Sequence, residues 1–84
     1  MSIKILYFAA VRDAVGCADE TLDMPENVAN IGDLQNYLAA RGEQWSALDS
    51  GRNVRAARNH RMVKLEEPVA AGDEIAFFPP VTGG

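Results

Sequence analysis

The chain has 84 residues, of which 48% are hydrophobic and 24% are charged, which fits one globular domain and excludes disordered and collagen-like classes. Twelve acidic residues against eight lysines and arginines give a net charge of -4. This charge argues against a general nucleic-acid-binding protein, which needs a cationic surface, and no apolar run approaches the length of a membrane span. A single cysteine excludes an internal disulfide and indicates a reducing cytoplasm. One histidine and one cysteine also leave few ways to build a self-contained catalytic site.

The first predicted element is a strand over residues 2–10, a segment rich in β-branched and aromatic residues. Alternation gives it two faces. The first face carries Ile3, Ile5, Tyr7 and Ala9, and the second carries Lys4, Leu6, Phe8 and Ala10. Because Lys4 is expected to meet solvent, Leu6 and Phe8 are apolar residues on a face outside the core.

A turn at residues 16–17 and a second strand over residues 18–24 are predicted next, with a proline ending the strand. A helix follows, for which Asn30 is the expected N-cap and Asp33 suits the positive helix start. Its apolar residues have helical spacing, and they are Ile31, Leu34 and Leu38. Gly42 fits just past its end, and the spacing of Trp45 and Leu48 permits one short helical turn.

Residues 53–65 predict a hairpin with its turn at residues 59–60, although a helix is also compatible with propensity. In the hairpin, Met62 and Lys64 share one side, and Val63 and Leu65 share the other. A loop over residues 66–73 leads to a final strand over residues 74–78. Its alternation pairs Ile75 with Phe77 on one face and Ala76 with Phe78 on the other. The pattern predicts an α+β domain in which one sheet packs on one main helix.

The segment after this strand is the most informative part of the sequence. Pro79 and Pro80 stop a sheet ladder because neither donates an N–H, and they favour an extended exit from the strand. Gly83 and Gly84 lack a Cβ atom, so this end can pass through a channel that rejects other residues. A terminal glycine carboxylate is also the least hindered acyl group for activation by adenylation and attack by a nucleophile. We therefore expect a stiff base carrying a thin reactive arm rather than a frayed terminus.

The chain resembles the small subunits of molybdopterin synthase in its ending, Gly-Asp-Glu-Ile-Ala-Phe-Phe-Pro-Pro-Val-Thr-Gly-Gly over residues 72–84. Its opening, Ile-Lys-Ile-Leu-Tyr-Phe-Ala over residues 3–9 followed by Val11-Arg12, is similar to the same family's first strand. The resemblance spans the whole chain and implies a ubiquitin-like β-grasp fold, with a mixed β-sheet on one main helix. It further implies a β-grasp domain over residues 1–78 and a flexible extended Gly-Gly tail over residues 79–84.

The family implies a role as a sulfur carrier in molybdenum cofactor biosynthesis. An E1-like enzyme adenylates the carboxylate of Gly84 with ATP, and a sulfur donor protein supplies the sulfur that makes a thiocarboxylate. The tail, with Gly83, then enters the large subunit of the synthase, which holds the substrate pocket, and gives its sulfur to cyclic pyranopterin monophosphate. On this resemblance the chain is a non-catalytic subunit of a sulfurtransferase containing two small and two large subunits. It binds no cofactor or metal, and ATP binds to the activating partner because the chain lacks a phosphate-cradling glycine motif.

The outward positions of Phe8, Met62 and Phe78 match the family's hydrophobic surface for the large subunit. A small domain rarely exposes a contiguous apolar patch without a use for it, although a sheet covered on both faces would also bury these residues. The resemblance adds the first part of the tail to the expected contact, namely Pro79, Pro80, Val81 and Thr82.

A basic segment contains five of the eight cations and no acid, and its members are Arg52, Arg55, Arg58, Arg61 and Lys64. It is expected to be either a solvated hairpin surface or a docking patch for an acidic partner. Arg58 stands where the resemblance predicts an apolar residue before Asn59. Cys17 is expected to be a small loop residue and His60 an exposed turn residue. Solvated charges are expected at three acidic pairs: Asp19-Glu20, Glu66-Glu67 and Asp73-Glu74.

Three other functions fit parts of the pattern. One is a sulfur carrier for another pathway, such as thiamine thiazole synthesis, although those chains are usually shorter and lack the Phe-Phe-Pro-Pro exit. The second is a ubiquitin-like modifier joined to target lysines. The third is an interaction domain whose tail has no chemical role.

Overall fold

The computed structural model describes residues 2–48 and 54–80 of the chain. Within these residues, five strands form one mixed sheet in the order β2-β1-β5-β3-β4, in which β1 and β5 are parallel and the other neighbours are antiparallel. The strands are β1 (Ser2–Tyr7), β2 (Asp19–Asp23), β3 (Arg55–Arg58), β4 (Arg61–Val63) and β5 (Glu74–Phe78). The helices are α1 (Ala9–Val15), α2 (Ile31–Ala39) and a 3-10 helix (Glu43–Leu48).

One face of this sheet packs on α2 to form the core. The buried apolar side chains of these elements are Ile3, Ile5, Tyr7, Ile31, Leu34, Leu38, Ala56, Ile75 and Phe77. The strand alternation predicted for β1 and β5 is therefore confirmed, because every second residue of each strand lies in the core. This mixed sheet on one main helix is the ubiquitin-like β-grasp architecture.

The start of α2 is stabilised as its sequence predicts. Asn30 accepts a hydrogen bond from the backbone N–H of Asp33 at 2.8 Å, and the Asp33 carboxylate accepts one from the N–H of Ala29 at 3.0 Å. The first bond satisfies a donor that the first helical turn leaves without an intrahelical partner, and the second ties the residue before the N-cap to that turn. The helix ends at Ala39, and Gly42 lies just beyond the end, as expected.

The first strand is shorter than the sequence predicts. It ends at Tyr7, and α1 occupies residues that were expected to continue the strand and approach the turn. The carbonyl of Phe8 accepts hydrogen bonds from the N–H groups of Val11 and Arg12, and these bonds begin the helix. Val11 and Val15 lie one helical turn apart and are both buried, and the helix ends at a glycine in the left-handed conformation. This four-residue spacing was the available signal for the helix.

The predicted hairpin is present, and its turn lies at Asn59 and His60, which have φ of 51° and 72°. Two consecutive left-handed residues match the right-handed twist of the flanking strands. Val63 and Leu65 lie on the same side, as expected, and both line a depression beside Ala56 and Gln35 on the α2 side of the sheet. Because β4 ends at Val63, Leu65 lies beyond the strand and is exposed, whereas Val63 packs against the core.

Each of the three acidic pairs expected to be solvated contributes one carboxylate to an ion cluster instead, and in the Glu66-Glu67 pair it is Glu67, which binds Arg58 at 3.0 Å. Glu20 accepts hydrogen bonds from the Tyr7 hydroxyl at 2.8 Å and from both terminal nitrogens of Arg41 at 2.8 and 3.1 Å. Asp73 accepts them from Arg58 at 2.8 Å and Asn59 at 3.1 Å. These carboxylates join segments that are distant in sequence, which a pattern of neighbouring residues cannot reveal. Within the described residues, no helix combines the length and apolarity needed to cross a membrane.

Candidate functional site

The sheet face opposite α2 carries a row of apolar side chains across four strands. Leu6 on β1 is level with Ala76 on β5, which is level with Ala57 on β3, and Ala57 is paired with Met62 on β4. The strand register therefore places two small residues between two large ones. We call this side of the sheet the outer face.

A hollow of about 300 Å³ lies on the outer face. It is lined by Leu6, Phe8, Ala57, His60, Met62, Glu74, Ala76 and Phe78. Ala57 and Ala76 form its floor because their side chains end at Cβ, and the larger residues around them form its rim. The hollow is open to solvent and mostly apolar, so its shape suits a bulky apolar side chain from another molecule.

The structure brings together Phe8, Met62 and Phe78, the three residues that the sequence places on a partner-binding surface. Phe8 is 46% exposed and Met62 is 65% exposed, while Phe78 is partly buried. The N–H of Phe8 donates to the carbonyl of Phe77 at 3.1 Å, which holds Phe8 beside the end of β5. Exposed apolar side chains gathered at one place are typical of an interaction surface, but their binding role stays a prediction.

The tail leaves the domain beside this hollow. Pro79 and Pro80 directly follow Phe78 and are partly buried, so the start of the predicted exit is rigid and close to the outer face. Val81, Thr82, Gly83 and Gly84 lie outside the described residues. Their assigned roles in tail insertion and sulfur transfer therefore stay predictions.

Charged groups flank the hollow at both ends. At one end, His60 Nε2 lies 3.1 Å from a carboxylate oxygen of Glu74, and the His60 side chain is 86% exposed, as expected for a turn residue. At the tail end, Arg55 is paired across the sheet with Phe78. Only part of the basic segment reaches this face, because Arg58 binds Asp73 and Glu67, and Arg52 lies outside the described residues.

The Arg58–Asp73 ion pair has a structural role rather than a catalytic one. Burial by itself would raise the pKa of Asp73, but hydrogen bonds from Arg58, the Ala70 N–H and Asn59 outweigh that effect and hold the pKa below its ordinary 3.8. The hydrogen bonds of Arg58 to Asp73 and Glu67 raise the pKa of Arg58, so the pair is ionised at neutral pH. Arg58 thus compensates for the missing apolar residue by linking the hairpin to the loop before β5.

Within residues 2–48 and 54–80, no group of histidine, cysteine, aspartate or glutamate side chains is placed to hold a metal ion. Cys17 lies in the loop between α1 and β2, as expected, and its thiol donates to the carbonyl of Asp19 at 3.0 Å. Ala57 and Ala76 are parts of the site that the sequence does not predict. A signal existed in their small size at outward positions, but only the sheet order places them side by side.

Comparison with known proteins gives a consistent result over the whole chain. The ThiS family matches residues 5–84. The chain is 40% identical over 83 residues to the molybdopterin synthase sulfur carrier subunit of Escherichia coli (strain K12), covering 98% of this chain and 99% of that protein.

Two solved structures share the fold and are at least 30% identical to the chain in sequence. The putative molybdopterin converting factor, subunit 1, from Pyrococcus furiosus has a TM-score of 0.77 and 31% identity, covering 96% of this chain and 99% of that one. SAMP1 from Haloferax volcanii has a TM-score of 0.74 and 30% identity, with complete coverage of both chains.

Proposed function

The chain belongs to the ThiS family, and from this premise we propose that it is the sulfur-carrier subunit of a molybdopterin synthase. The observation that carries the proposal is its 40% identity to the carrier subunit of Escherichia coli, which extends over 98% of the chain. The outer face supports it, because the hollow lies directly beside the strand that leads into the Gly-Gly tail. A carrier needs this combination of a docking surface and a reactive arm.

In this proposal the reactive group is the carboxylate of Gly84. A carboxylate oxygen attacks the α-phosphorus of ATP on an E1-like partner, and pyrophosphate leaves. Sulfur at the sulfide level, supplied by a donor protein, then displaces AMP from the acyl group and leaves a thiocarboxylate. Sulfur is a stronger nucleophile than the carboxylate oxygen it replaces, and tethering delivers it at high effective concentration.

The receiving partner in this proposal is the large subunit of the synthase. An apolar side chain of that subunit enters the hollow between Phe8, Met62 and Phe78, while residues 79–84 extend into its active site. There the thiocarboxylate sulfur bonds to a carbon of cyclic pyranopterin monophosphate while a carbon–oxygen bond of that carbon breaks, and the oxygen leaves with the electron pair and takes up a proton. Water then cleaves the acyl–sulfur bond and restores the Gly84 carboxylate. The chain itself holds no cofactor in this scheme, and the activity belongs to the assembly, for which we propose two small and two large subunits in the cytoplasm.

The first test is the intact mass of the protein after incubation with its activating enzyme, ATP and the sulfur donor. We expect the mass to rise by the difference between one sulfur and one oxygen atom. A variant with one alanine added after Gly84 should not change in mass, because its terminal acyl group no longer fits the activating site. Equal thermal unfolding of the two proteins is the control for folding. An unchanged mass of the wild-type protein, or equal conversion of the extended variant, would contradict the proposal.

A second candidate function is a ubiquitin-like modifier, which the likeness to SAMP1 from Haloferax volcanii favours. Both functions begin with adenylation of the same carboxylate, but a modifier ends as an amide on target lysines. Denaturing gels of host extracts probed for this chain distinguish them. We expect one band at the size of the free protein, and a ladder of conjugates would support the modifier.

A further inference from the structure

The fold places the cations of the basic segment in different surroundings. Arg58 is held between Asp73 and Glu67, with nitrogen–oxygen distances of 2.8 and 3.0 Å. Arg61 is exposed but alternates with Met62 along β4, so it lies on the opposite side of the sheet from the hollow. Neither residue can therefore act on the outer face.

Arg55 and Lys64 are the members that remain beside the hollow. Ala56 on β3 is paired with Val63 on β4 in an antiparallel register. Arg55 precedes Ala56 and Lys64 follows Val63, so these two cations lie next to each other. Together with Met62 they line one open depression at the sheet edge. Both are exposed, and within residues 2–48 and 54–80 neither lies at ion-pair distance from a carboxylate. Glu66 also lines the depression, whereas Glu67 is already bound by Arg58.

The charges along the outer face have a direction. At the end near the hairpin turn, Glu74 is level with Lys4 on β1, so these two residues together carry no net charge, whereas the end near the tail exit carries Arg55. The whole chain has a net charge of -4, so two cations against the single carboxylate of Glu66 form a positive point on an acidic molecule. Arg55 is also level with Phe78, the last residue of the strand from which the tail departs.

We propose that Arg55 and Lys64 form a cationic docking point for carboxylates on the protein that receives the tail, at the opening that the tail enters. This inference rests on the proposed function and adds the partner's chemistry: an apolar side chain for the hollow, with acidic residues about one strand spacing away. Because Glu74 is level with Lys4, the turn end attracts carboxylates less than Arg55 and Lys64 do, so these two cations align the tail with its channel. Two cations on an acidic chain are too few for nucleic acid, and a free anion would leave the apolar hollow unfilled.

The test compares single charge reversals within one hairpin. Association of the chain with its cognate large subunit is measured by stopped-flow fluorescence at low and high salt. Arg55→Glu and Lys64→Glu should each slow association about tenfold at low salt, and most of this difference should vanish in high salt because the attraction is screened. Arg61→Glu is the matched control, since it makes the same change in net charge on the opposite side of the sheet. Its association rate should remain within about twofold of wild type.

The outcomes separate this inference from the function on which it rests. Wild-type binding with equal slowing by all three variants would overturn the docking point, because the effect would then belong to net charge. Wild-type binding with no slowing by Arg55→Glu or Lys64→Glu would also overturn it while leaving the carrier function intact. Failure of the wild-type chain to bind the large subunit would overturn both proposals.

Discussion

Ala57 and Ala76 lie side by side on β3 and β5, between the larger side chains of Leu6 and Met62. Neither alanine belongs to the core, yet the hollow exists because both side chains are short. On an outward strand position a longer apolar side chain meets solvent instead of a packed neighbour. The presence of alanine at both positions is therefore better explained by the hollow that it leaves on the outer face than by a contribution to the stability of the sheet.

Filling the hollow tests this explanation at the residue scale. Ala57→Leu should weaken binding to the large subunit at least about tenfold, which is roughly 1.4 kcal/mol, because the new side chain occupies the space reserved for the partner. Calorimetric titration measures the effect. Ala40→Leu is the matched control: it makes the same change at an exposed position after α2, and its affinity should equal that of wild type. Equal affinities of Ala57→Leu and wild type would show that the hollow is not occupied in the complex.

At the scale of elements, a cluster of polar and aromatic side chains joins β1, β2 and β5 to the helical layer. The Tyr7 ring is stacked on Phe77 at 6.4 Å and meets Trp45 of the 3-10 helix edge-on at 5.6 Å. Its hydroxyl donates to Glu20 on β2, and Arg41 beyond α2 binds the same carboxylate and covers the Trp45 ring at 4.7 Å. Burial, followed by the hydrogen bond to Glu20, raises the pKa of Tyr7, so the phenol keeps its proton. The cluster holds β1, β2 and the 3-10 helix in one arrangement.

Tyr7→Phe removes one hydrogen bond from this cluster and keeps the aromatic packing. We expect it to lower the free energy of unfolding by about 1–2 kcal/mol, since the lost acceptor is a carboxylate. Urea unfolding at neutral pH measures this change. Tyr37→Phe removes the same hydroxyl from an exposed ring on α2 and should leave stability unchanged. Equal losses in the two variants would contradict a specific role for the Tyr7–Glu20 bond.

For the whole molecule, the ion clusters predict how stability depends on pH. Burial opposes ionisation of Glu20 and Asp73, but their hydrogen bonds outweigh it and lower both pKa values below the ordinary 4.5 and 3.8. A carboxyl whose pKa is lower in the folded state stabilises the protein fully above its unfolded pKa. That contribution is lost as the pH falls through the folded pKa.

The free energy of unfolding should therefore be nearly constant from neutral pH to about pH 5 and decrease steadily below that value. Urea unfolding at a series of pH values measures the profile. The double variant Glu20→Gln, Asp73→Asn should be less stable at neutral pH and should lose stability less steeply in acid. If the free energy of unfolding of the double variant fell as steeply in acid as that of the wild type, the acid sensitivity would come from other carboxylates and the prediction would be wrong.

The amino-acid sequence alone determined the features that depend on near neighbours. Alternation in β1 and β5 separates core from outer residues because successive strand side chains point to opposite faces. The Asn30 cap and the turn at Asn59-His60 are settled within a few residues by local hydrogen bonds and backbone conformation. The proline exit and the Gly-Gly ending predict a reactive arm from the sequence, and the carrier role of that arm comes from the family resemblance and stays a prediction.

Tertiary structure decided what depends on residues far apart along the chain. Arg41 and Glu20 are separated by 21 positions and Arg58 and Asp73 by 15. The neighbouring residues alone therefore predict that these acids are solvated, and only the folded chain places the cations beside them. The same is true of the hollow, because Leu6, Ala57 and Ala76 meet only through the order β1-β5-β3. Chain neighbours set the conformation of a segment through short-range hydrogen bonds and sterics. Ion partners and surface shape are set instead by which strands pair, and that pairing is a property of the whole sheet.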